Sequence, residues 1–245
     1  MTFINNYITM INNIKCNINV LNKGIKKFNI KSDSSIVTNI DIEIQEIIKK
    51  NIIDSNLYNK KDILIISEED KLDYYDYNEL LKKYDDIITI DPLDGTENFY
   101  SGLNYWGVSY SHYTKDHIEN IFKHFFSFIL LPQLNVYIDS INTIDKNKFE
   151  SRIIGLSSYL NLKEIESNTK DKHEEYRIIG SAVCNLYNTI KGIFKEYKNP
   201  RINSWDILAG INIALLNKLK VKINGEKYEG QLLLPNEKYN LEISK

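Results

Sequence analysis

Cysteine occurs only twice in the 245 residues, proline four times and glycine ten times, while arginine appears only at Arg152, Arg177 and Arg201. Cys16 and Cys184 lie far apart and form no CxxC pair, which argues against a zinc ribbon, a dithiol redox motif or a disulfide scaffold and suits a reducing, cytoplasmic setting. A charge excess of either sign is also missing. Lys plus Arg total 31 against 33 Asp plus Glu, a net charge of -2, so no broad basic face can neutralise a nucleic-acid backbone and no nucleic-acid partner is expected. Long apolar runs are absent too. The most apolar short stretch, Phe125 to Leu131, falls far below a bilayer span, and MTFINNYITM has no basic segment ahead of an apolar core, so neither membrane insertion nor secretion is expected. No repeat or Pro-, Gly- or Ser-rich linker divides the chain.

What is present suffices for a folded enzyme-sized core, with 42% hydrophobic and 26% charged residues. Ile and Asn are abundant, which blurs helix propensity because Ile fills positions where Ala or Leu would be clearer. From Phe3 to Phe28 the residues Ile4, Tyr7, Ile8, Ile11, Ile14, Ile18 and Leu21 recur at helical spacing, giving one long helix or two in succession. A further helix follows Thr38-Asn39, with Ile40, Ile44, Ile47 and Ile48 on one face and Asp41 in its first turn. Ile63 to Ser67 and Asp86 to Asp91 read as strands, each ending in acidic residues. Trp106 to Tyr113, Phe125 to Leu131 and Asn135 to Asp139 continue as a meander, although Glu119 to Phe126 could equally be helical. Arg152 to Ser157 and Arg177 to Gly180 are strand-like and flank a surface segment. Ser181 caps a helix to Lys191 that stops near Gly192, strand Ile193 to Tyr197 leads through Asn199-Pro200 to helix Trp205 to Asn217, and strands near Val221 to Ile223 and Gln231 to Leu234 close the chain. The pattern implies alternating layers of helices and sheets, an α+β class with two tightly joined lobes.

Chemistry concentrates where strands end. Asp91-Pro92-Leu93-Asp94-Gly95-Thr96 follows the strand Ile87 to Ile90, and a turn enforced by Pro92 and Gly95 would aim the Asp91 and Asp94 carboxylates at one point. Hard divalent ions such as Mg²⁺ take oxygen ligands of this kind and retain places for a phosphate, with the Leu93 carbonyl as a further oxygen. Gly95 and Thr96 would open a short helix whose N–H groups face an anion. Read blandly, DPLDG is a β-turn, Glu68-Glu69-Asp70 a solvated acidic loop, and Asp206 a helix cap. Together with Asp41, these carboxylates at element ends favour the metal-and-phosphate reading. None of His112, His117, His124 or His173 occupies a recognisable catalytic setting.

These residues resemble the inositol monophosphatase-like, lithium-sensitive Mg²⁺ phosphatases, relatives of fructose-1,6-bisphosphatase. The resemblance rests on Lys31 with Ser35 to Asp41, Ser67-Glu68-Glu69, DPLDGTENF at Asp91 to Phe99, RIIGSA at Arg177 to Ala182, and WDILAG at Trp205 to Gly210. It implies a layered αβαβα sugar-phosphatase fold spanning 1–245, with a metal-binding lobe near 1–150 and a substrate-side lobe near 151–245. Glu68, Asp91 and the Leu93 carbonyl look like ligands of one Mg²⁺, and Asp91, Asp94 and Asp206 of a second. A third, weaker ion would lean on Glu68 and water, which sets Glu68 beside Asp41 and Thr96, the pair implied to orient and deprotonate the attacking water. Asp94, Gly95, Thr96, Gly180, Ser181, Ala182, Asn199 and Asp206 are implied to meet a small phosphorylated substrate. Inositol monophosphate leads, ahead of 3′-phosphoadenosine 5′-phosphate, histidinol phosphate and fructose 1,6-bisphosphate, and a homodimer is expected. A binding protein on the same scaffold is the rival from another class.

Three departures mark the chain. Family members that act on inositol phosphates commonly carry an acidic residue seven positions before the WD aspartate, where this sequence has Asn199. His112 to Leu131 lacks the usual Gly-containing hairpin, and no Ala-Gly-Gly follows Leu216. Tyr74, Tyr75 and Tyr77 read as a partly exposed run, Cys184 as a small buried residue, and Lys26, Lys27 and Lys31 as a basic cluster.

Overall fold

The structure, a computed structural model, describes residues 2–21, 28–30, 36–55, 63–70, 77–169 and 171–245. Lys26, Lys27, Lys31, Ser35, Tyr74 and Tyr75 lie outside them. Helix α1 (Thr2–Leu21) buries Tyr7, Met10, Ile11, Ile14 and Ile18 at spacings of three and four, while Ile8, expected on that face, is half exposed. Strands β1 (Phe28–Ile30) and β2 (Ile36–Thr38) pair antiparallel and deliver Thr38 to the start of α2 (Asn39–Asp54). That helix begins where predicted because Thr38 and Asp41 close a capping box. Its face of Ile40, Ile44, Ile48 and Ile52 is buried.

Five strands form the first sheet in sequence order: β3 (Ile63–Ser67), β4 (Asp86–Asp94), β5 (Gly107–Asp116), β6 (Ile121–Leu131) and β7 (Val136–Asp139), with the short helices α3 (Tyr77–Leu81) and α4 (Thr96–Tyr100) in the connections. Alternation decides the layers. Ile88, Ile90, Val108, Tyr110, Phe126 and Phe128 pack on α1 and α2, whereas Ile87, Tyr113, Ile129 and Leu131 point to the other side. Each fully buried side chain of this size contributes about 1.5–3 kcal/mol.

The second sheet has the order β12-β11-β13-β10-β8-β9 and is built from β8 (Ile153–Leu156), β9 (Glu175–Ile178), β10 (Glu196–Ile202), β11 (Lys220–Ile223), β12 (Glu226–Lys227) and β13 (Tyr239–Ser244). Between the sheets lie α6 (Ala182–Lys191) and α7 (Ser204–Leu216). The latter buries Ile207, Leu208, Ala209, Ile211, Ile213 and Ala214, the all-round apolarity of a helix covered on every side. Helix α5 (Leu162–Asn168) sets Ile165 on Ile154, Leu156 and Leu160. The result is the layered α+β architecture expected from the sequence. No helix among the described residues is long and apolar enough to cross a membrane.

Four local expectations change. Residues 119–126 are a hairpin rather than a helix, and Asn120 takes the left-handed φ of +55° that a glycine would usually supply. Asn135 and Asn224 do the same elsewhere, so the abundant asparagine substitutes for scarce glycine. Strand β10 starts later than Ile193, because Gly192 and the N–H groups of Ile193 and Phe194 finish α6 on its own carbonyls. Asn199-Pro200 then sits inside that strand at a register irregularity, where a residue without an N–H is tolerated. Gln231 to Leu234 is not a strand, and Gln231 makes only an isolated bridge to Lys123. The closing strand is β13, whose alternating Tyr239, Leu241 and Ile243 are buried.

Candidate active site

Strand β4 continues through Asp94 instead of ending in a turn at Asp91. Asp91 pairs with Ser109 and Asp94 with Gly107, so three steps on β4 oppose two on β5 and one residue is extruded as a bulge. Pro92 fits there because it has no N–H to donate. On the other side β3 runs parallel, and the Glu68 N–H donates to the Ile90 carbonyl at 3.1 Å, setting Glu68 beside Asp91. Helix α7 brings the third acid: Ser109 Oγ donates to the Trp205 carbonyl at 2.8 Å, tying the helix start to β5. Carboxylate oxygens of Glu68, Asp91 and Asp206 lie within 4.8 Å of one another.

The electrostatics of this trio are strained in one direction. Asp91 Oδ1 accepts the Leu93 N–H at 2.9 Å, but Asp91 Oδ2 is buried with no hydrogen-bond partner among the described residues. Burial, then the charges of Glu68, Asp94 and Asp206, hold the Asp91 carboxyl well above the usual range. Asp206 is raised well above its ordinary value for the same first reason, with Glu68 and Asp94 adding to it. Its Oδ2 also accepts from the backbone and side-chain nitrogens of Asn203 at 3.3 Å, so the capping reading of Asp206 holds alongside its place in the trio.

Asp94 stands outside the 4.8 Å group. Its Oδ2 accepts from Ser181 Oγ and from the Val183 N–H, the latter at 2.9 Å, and its carboxyl is pushed up to about 6, chiefly by burial. Ser181 therefore caps α6 and clasps Asp94 at once, with the Ala182 N–H directed at the same carboxylate. Gly180 is confined by contact as well as conformation: at φ +79° a Cβ there would meet the Asn98 amide at 3.2 Å. Gly95, at φ +89°, precedes α4 where a Cβ would lie 2.9 Å from the Tyr105 carbonyl.

Asp41 is buried and committed at both oxygens. Oδ2 accepts the Thr38 N–H at 2.7 Å and the Thr38 hydroxyl, and Oδ1 faces Thr96 Oγ1 at 3.0 Å. Burial raises its pKa against these bonds. Thr96 Oγ1 is also 3.0 Å from the Leu93 carbonyl, and its single proton serves one acceptor at a time. Asn199 is buried with both ends of its amide engaged, Nδ2 donating to the Tyr197 hydroxyl at 3.0 Å and Oδ1 accepting the Arg201 N–H at 3.2 Å.

Three residues escaped sequence reasoning. Asn98 donates to the carbonyls of Tyr105 at 2.7 Å and Ile179 at 2.8 Å, bridging the loop after α4 to the segment before α6. It stands inside DPLDGTENF, which was the available signal. Val183 binds Asp94 through its backbone and Tyr197 lies in the field of Asp94 and Asp206, neither of which a side-chain pattern reports. Cys184 is buried, and burial pushes its thiol up to about 12, as befits a packing residue. A cavity of about 370 Å³ between Val136–Asp139 and the Tyr187–Lys191 end of α6 contains none of the predicted site residues.

The sequence model of the inositol monophosphatase family matches residues 7–117. A fructose-1,6-bisphosphatase/inositol-1-monophosphatase of Thermotoga maritima is 28% identical, the match covering 73% of this chain and 67% of that protein. Among solved structures, an IMPase/NADP phosphatase complexed with Mg²⁺ and phosphate superposes with a TM-score of 0.77 at 19% identity, covering 100% of this chain and 92% of that one. An IMPase of Thermotoga maritima gives 0.76 at 22% identity, again covering 100% and 92%. A staphylococcal inositol monophosphatase soaked in LiCl gives 0.75 at 18% identity, covering 97% and 88%. The family resemblance read from the sequence is borne out.

Proposed function

We infer that this chain, an inositol monophosphatase-family protein, is a Mg²⁺-dependent phosphomonoesterase acting on a small phosphorylated sugar or polyol. The observation that carries this is the trio Glu68, Asp91 and Asp206, with a buried Asp91 oxygen that no group among the described residues satisfies. An unpartnered buried acceptor amid like charges is what a hard cation relieves, and the donors are all oxygens, so the residues fit Mg²⁺. We assign one ion to Glu68, Asp91 and the Leu93 carbonyl, a second to Asp91, Asp94 and Asp206, and a weaker third to Glu68. When bound, such ions lower the pKa of coordinated water and offset charge on attacking and leaving oxygens.

The protein's own groups divide the remaining work. With both oxygens of Asp41 already engaged by Thr38 and Thr96, it is not a ligand in this reading but the acceptor of the Thr96 proton. Once the Leu93 carbonyl is used elsewhere, Thr96 donates to Asp41 alone, and its oxygen lone pairs accept from the attacking water and orient it. Gly95 and Thr96 N–H groups are assigned to the phosphate, and Gly180, Ser181 and Ala182 to the rim that meets the substrate and braces Asp94. Inositol monophosphate is the leading substrate by resemblance. Because Asn199 replaces a carboxylate, is buried and has one N–H and its Oδ1 already engaged by Tyr197 and Arg201, it matches a vicinal diol less well than a carboxylate would, and a broad preference follows. Lithium sensitivity, a homodimer and a cytoplasmic setting belong to the same proposal.

The test is phosphate release from inositol monophosphate, 3′-phosphoadenosine 5′-phosphate, histidinol phosphate and fructose 1,6-bisphosphate, with and without Mg²⁺. Metal-dependent turnover of at least one is expected. Metal binding without release from any would favour a binding protein on this scaffold.

A further inference from the structure

Two prolines stand at the same kind of irregularity. In Asp91-Pro92-Leu93-Asp94 three steps on β4 oppose two on β5, and in Asn199-Pro200-Arg201-Ile202 three steps on β10 oppose two on β13, since Asn199 pairs with Leu241 and Ile202 with Tyr239. The first bulge sets two of the proposed metal ligands. The second decides what stands at the start of α7. Carried on from Ile202 and Tyr239, the register puts Lys238 opposite Asn203, the residue before α7, and Lys238 Nζ donates to Asn203 Oδ1 at 2.5 Å. Had the register of Glu196 to Asn199 continued unbroken, Glu237 would face Asn203; it lies instead beside the Tyr239 hydroxyl. The bulge therefore exchanges an acid for a base beside the Asn203 amide.

Asn203 is the link to the carboxylates. Its backbone N–H and its Nδ2 both reach Asp206 Oδ2, each at 3.3 Å, and Oδ1 is left out of these bonds. At that length neither bond fixes the carboxylate alone, so the orientation of the amide matters. An ammonium only donates and a carboxylate only accepts. With Lys238 at one end and Asp206 at the other, the amide has a single satisfied orientation, oxygen to the lysine and NH₂ to the aspartate. A glutamate opposite would draw the NH₂ to itself and turn the amide oxygen against Asp206.

We propose that Lys238 is a positioning residue for the metal site, holding the Asn203 amide so that Asp206 keeps one oxygen turned to the ion. This deepens the phosphatase reading and rests on it for Asp206 as a ligand. Charge alone predicts the opposite sign: the Lys238 ammonium is close enough to draw the Asp206 carboxyl down against burial, and a positive charge at that range repels Mg²⁺. Removing the ammonium tightens metal binding if it acts only through space and loosens it if it acts through Asn203.

The experiment titrates Mg²⁺ calorimetrically into metal-free wild type, Lys238→Met, Lys238→Arg, Asn203→Ala and the double variant Asn203→Ala/Lys238→Met, with a metal-free melt of each. Groups that hydrogen-bond a metal ligand from behind are worth about 10- to 100-fold in affinity, and Lys238, one residue further out, belongs at the lower end. Binding about tenfold weaker is expected in Lys238→Met, and near-wild-type binding in Lys238→Arg, which still donates to Asn203 Oδ1. In the Asn203→Ala background the methionine substitution should cost nothing further. Tighter or unchanged Mg²⁺ binding in Lys238→Met overturns the proposal, as does an equal loss with and without Asn203. A lower metal-free Tm with unchanged affinity does so too, because the pair would then only tie β13 to β10. Phosphate release from inositol 1-phosphate and the other esters separates the two readings. Weaker Mg²⁺ binding in Lys238→Met, with no ester hydrolysed by wild type, keeps the positioning role and sinks the phosphatase. Hydrolysis by wild type with Mg²⁺ affinity indifferent to Lys238 does the reverse, and a wild type that binds no Mg²⁺ ends both.

Discussion

Asp91 and Tyr113 occupy neighbouring strands, β4 and β5, and both are sealed from solvent, yet their polar surroundings differ in kind. Around Tyr113 every proton has a destination. Asn212 Nδ2 donates to the Tyr113 hydroxyl at 2.7 Å and to the Leu208 carbonyl at 2.8 Å; Tyr113 and Tyr228 hydroxyls lie 2.9 Å apart; Tyr228 Oη is 3.2 Å from Asn212 Oδ1 and 2.9 Å from the Gln231 carbonyl. That network is neutral and closed, and it fastens α7 to β5 and to the segment after β12. Around Asp91 the groups are acidic, their charges add, and one oxygen has no partner among the described residues. Buried polarity of the first kind stabilises the fold by itself, and that of the second kind becomes favourable only when something positive arrives.

The largest effect that would break this contrast comes from Asp91→Asn. Turnover with Mg²⁺ should be abolished, while the metal-free protein becomes more resistant to heat. The asparagine oxygen can keep the Leu93 bond, and its NH₂ would face the Glu68 and Asp206 carboxylates where Asp91 now meets repulsion. Thermal melts with and without Mg²⁺ check both halves. A lower metal-free Tm in the variant would mean that the Asp91 carboxylate stabilises the fold unaided, and the contrast would fail.

Asn212→Ala tests the opposite cluster and should give the opposite result. It removes one hydrogen bond from each of the Tyr113 and Tyr228 hydroxyls, which keep each other and the Gln231 carbonyl, at a cost of about 0.5–1.5 kcal/mol for each bond lost. Each kcal/mol lowers Tm by about 2–4 °C in a chain of this size. Specific activity per folded molecule should survive, since no atom of the network reaches the carboxylates. Denaturant titration paired with active-site counting measures the two separately.

These two clusters were unequally legible in the sequence. Asp91, Asp94, Thr96 and Asp206 stand in short contiguous motifs, and the strand or helix that presents each was readable from the apolar residues beside it. Tyr113, Asn212 and Tyr228 come from distant segments, and their meeting depends on how β13 inserts between β10 and β11, a pairing that no local pattern encodes. The same reason hid the bulge at Pro92-Leu93: a turn and a bulge share the same Pro and Gly signals, and only the antiparallel partner β5, with Gly107 opposite Asp94, chooses between them. Asn199 is reached by counting back seven residues from Asp206, but its burial and its bonds to Tyr197 and Arg201 follow from Asn199-Pro200 lying within β10 rather than in a loop before α7.

The smallest effect, and the sharpest on sign, is the pH dependence of the metal-free protein. A carboxyl raised to about 6 in the fold, as Asp94 is, holds a proton that the unfolded chain has released, so stability falls as pH rises from about 4 through 6; Asp91, Asp206 and Asp41 act in the same direction. His124 works against them. Burial depresses it to about 4, so the unfolded chain binds the extra proton below its ordinary value and stability from this group rises over the same interval. Tyr113, raised to about 12, is silent there. Several acids outweigh one imidazole, and the metal-free Tm should decline by a few degrees, on the order of 1 kcal/mol of stability, between pH 5 and pH 7. Saturating Mg²⁺ cancels the acidic contribution and leaves that of His124, so the slope should reverse. Melts in chelator and in Mg²⁺ across that interval provide the measurement, and a metal-free Tm that climbs with pH would show that the carboxylate trio is not the unsatisfied cluster contrasted here with Tyr113.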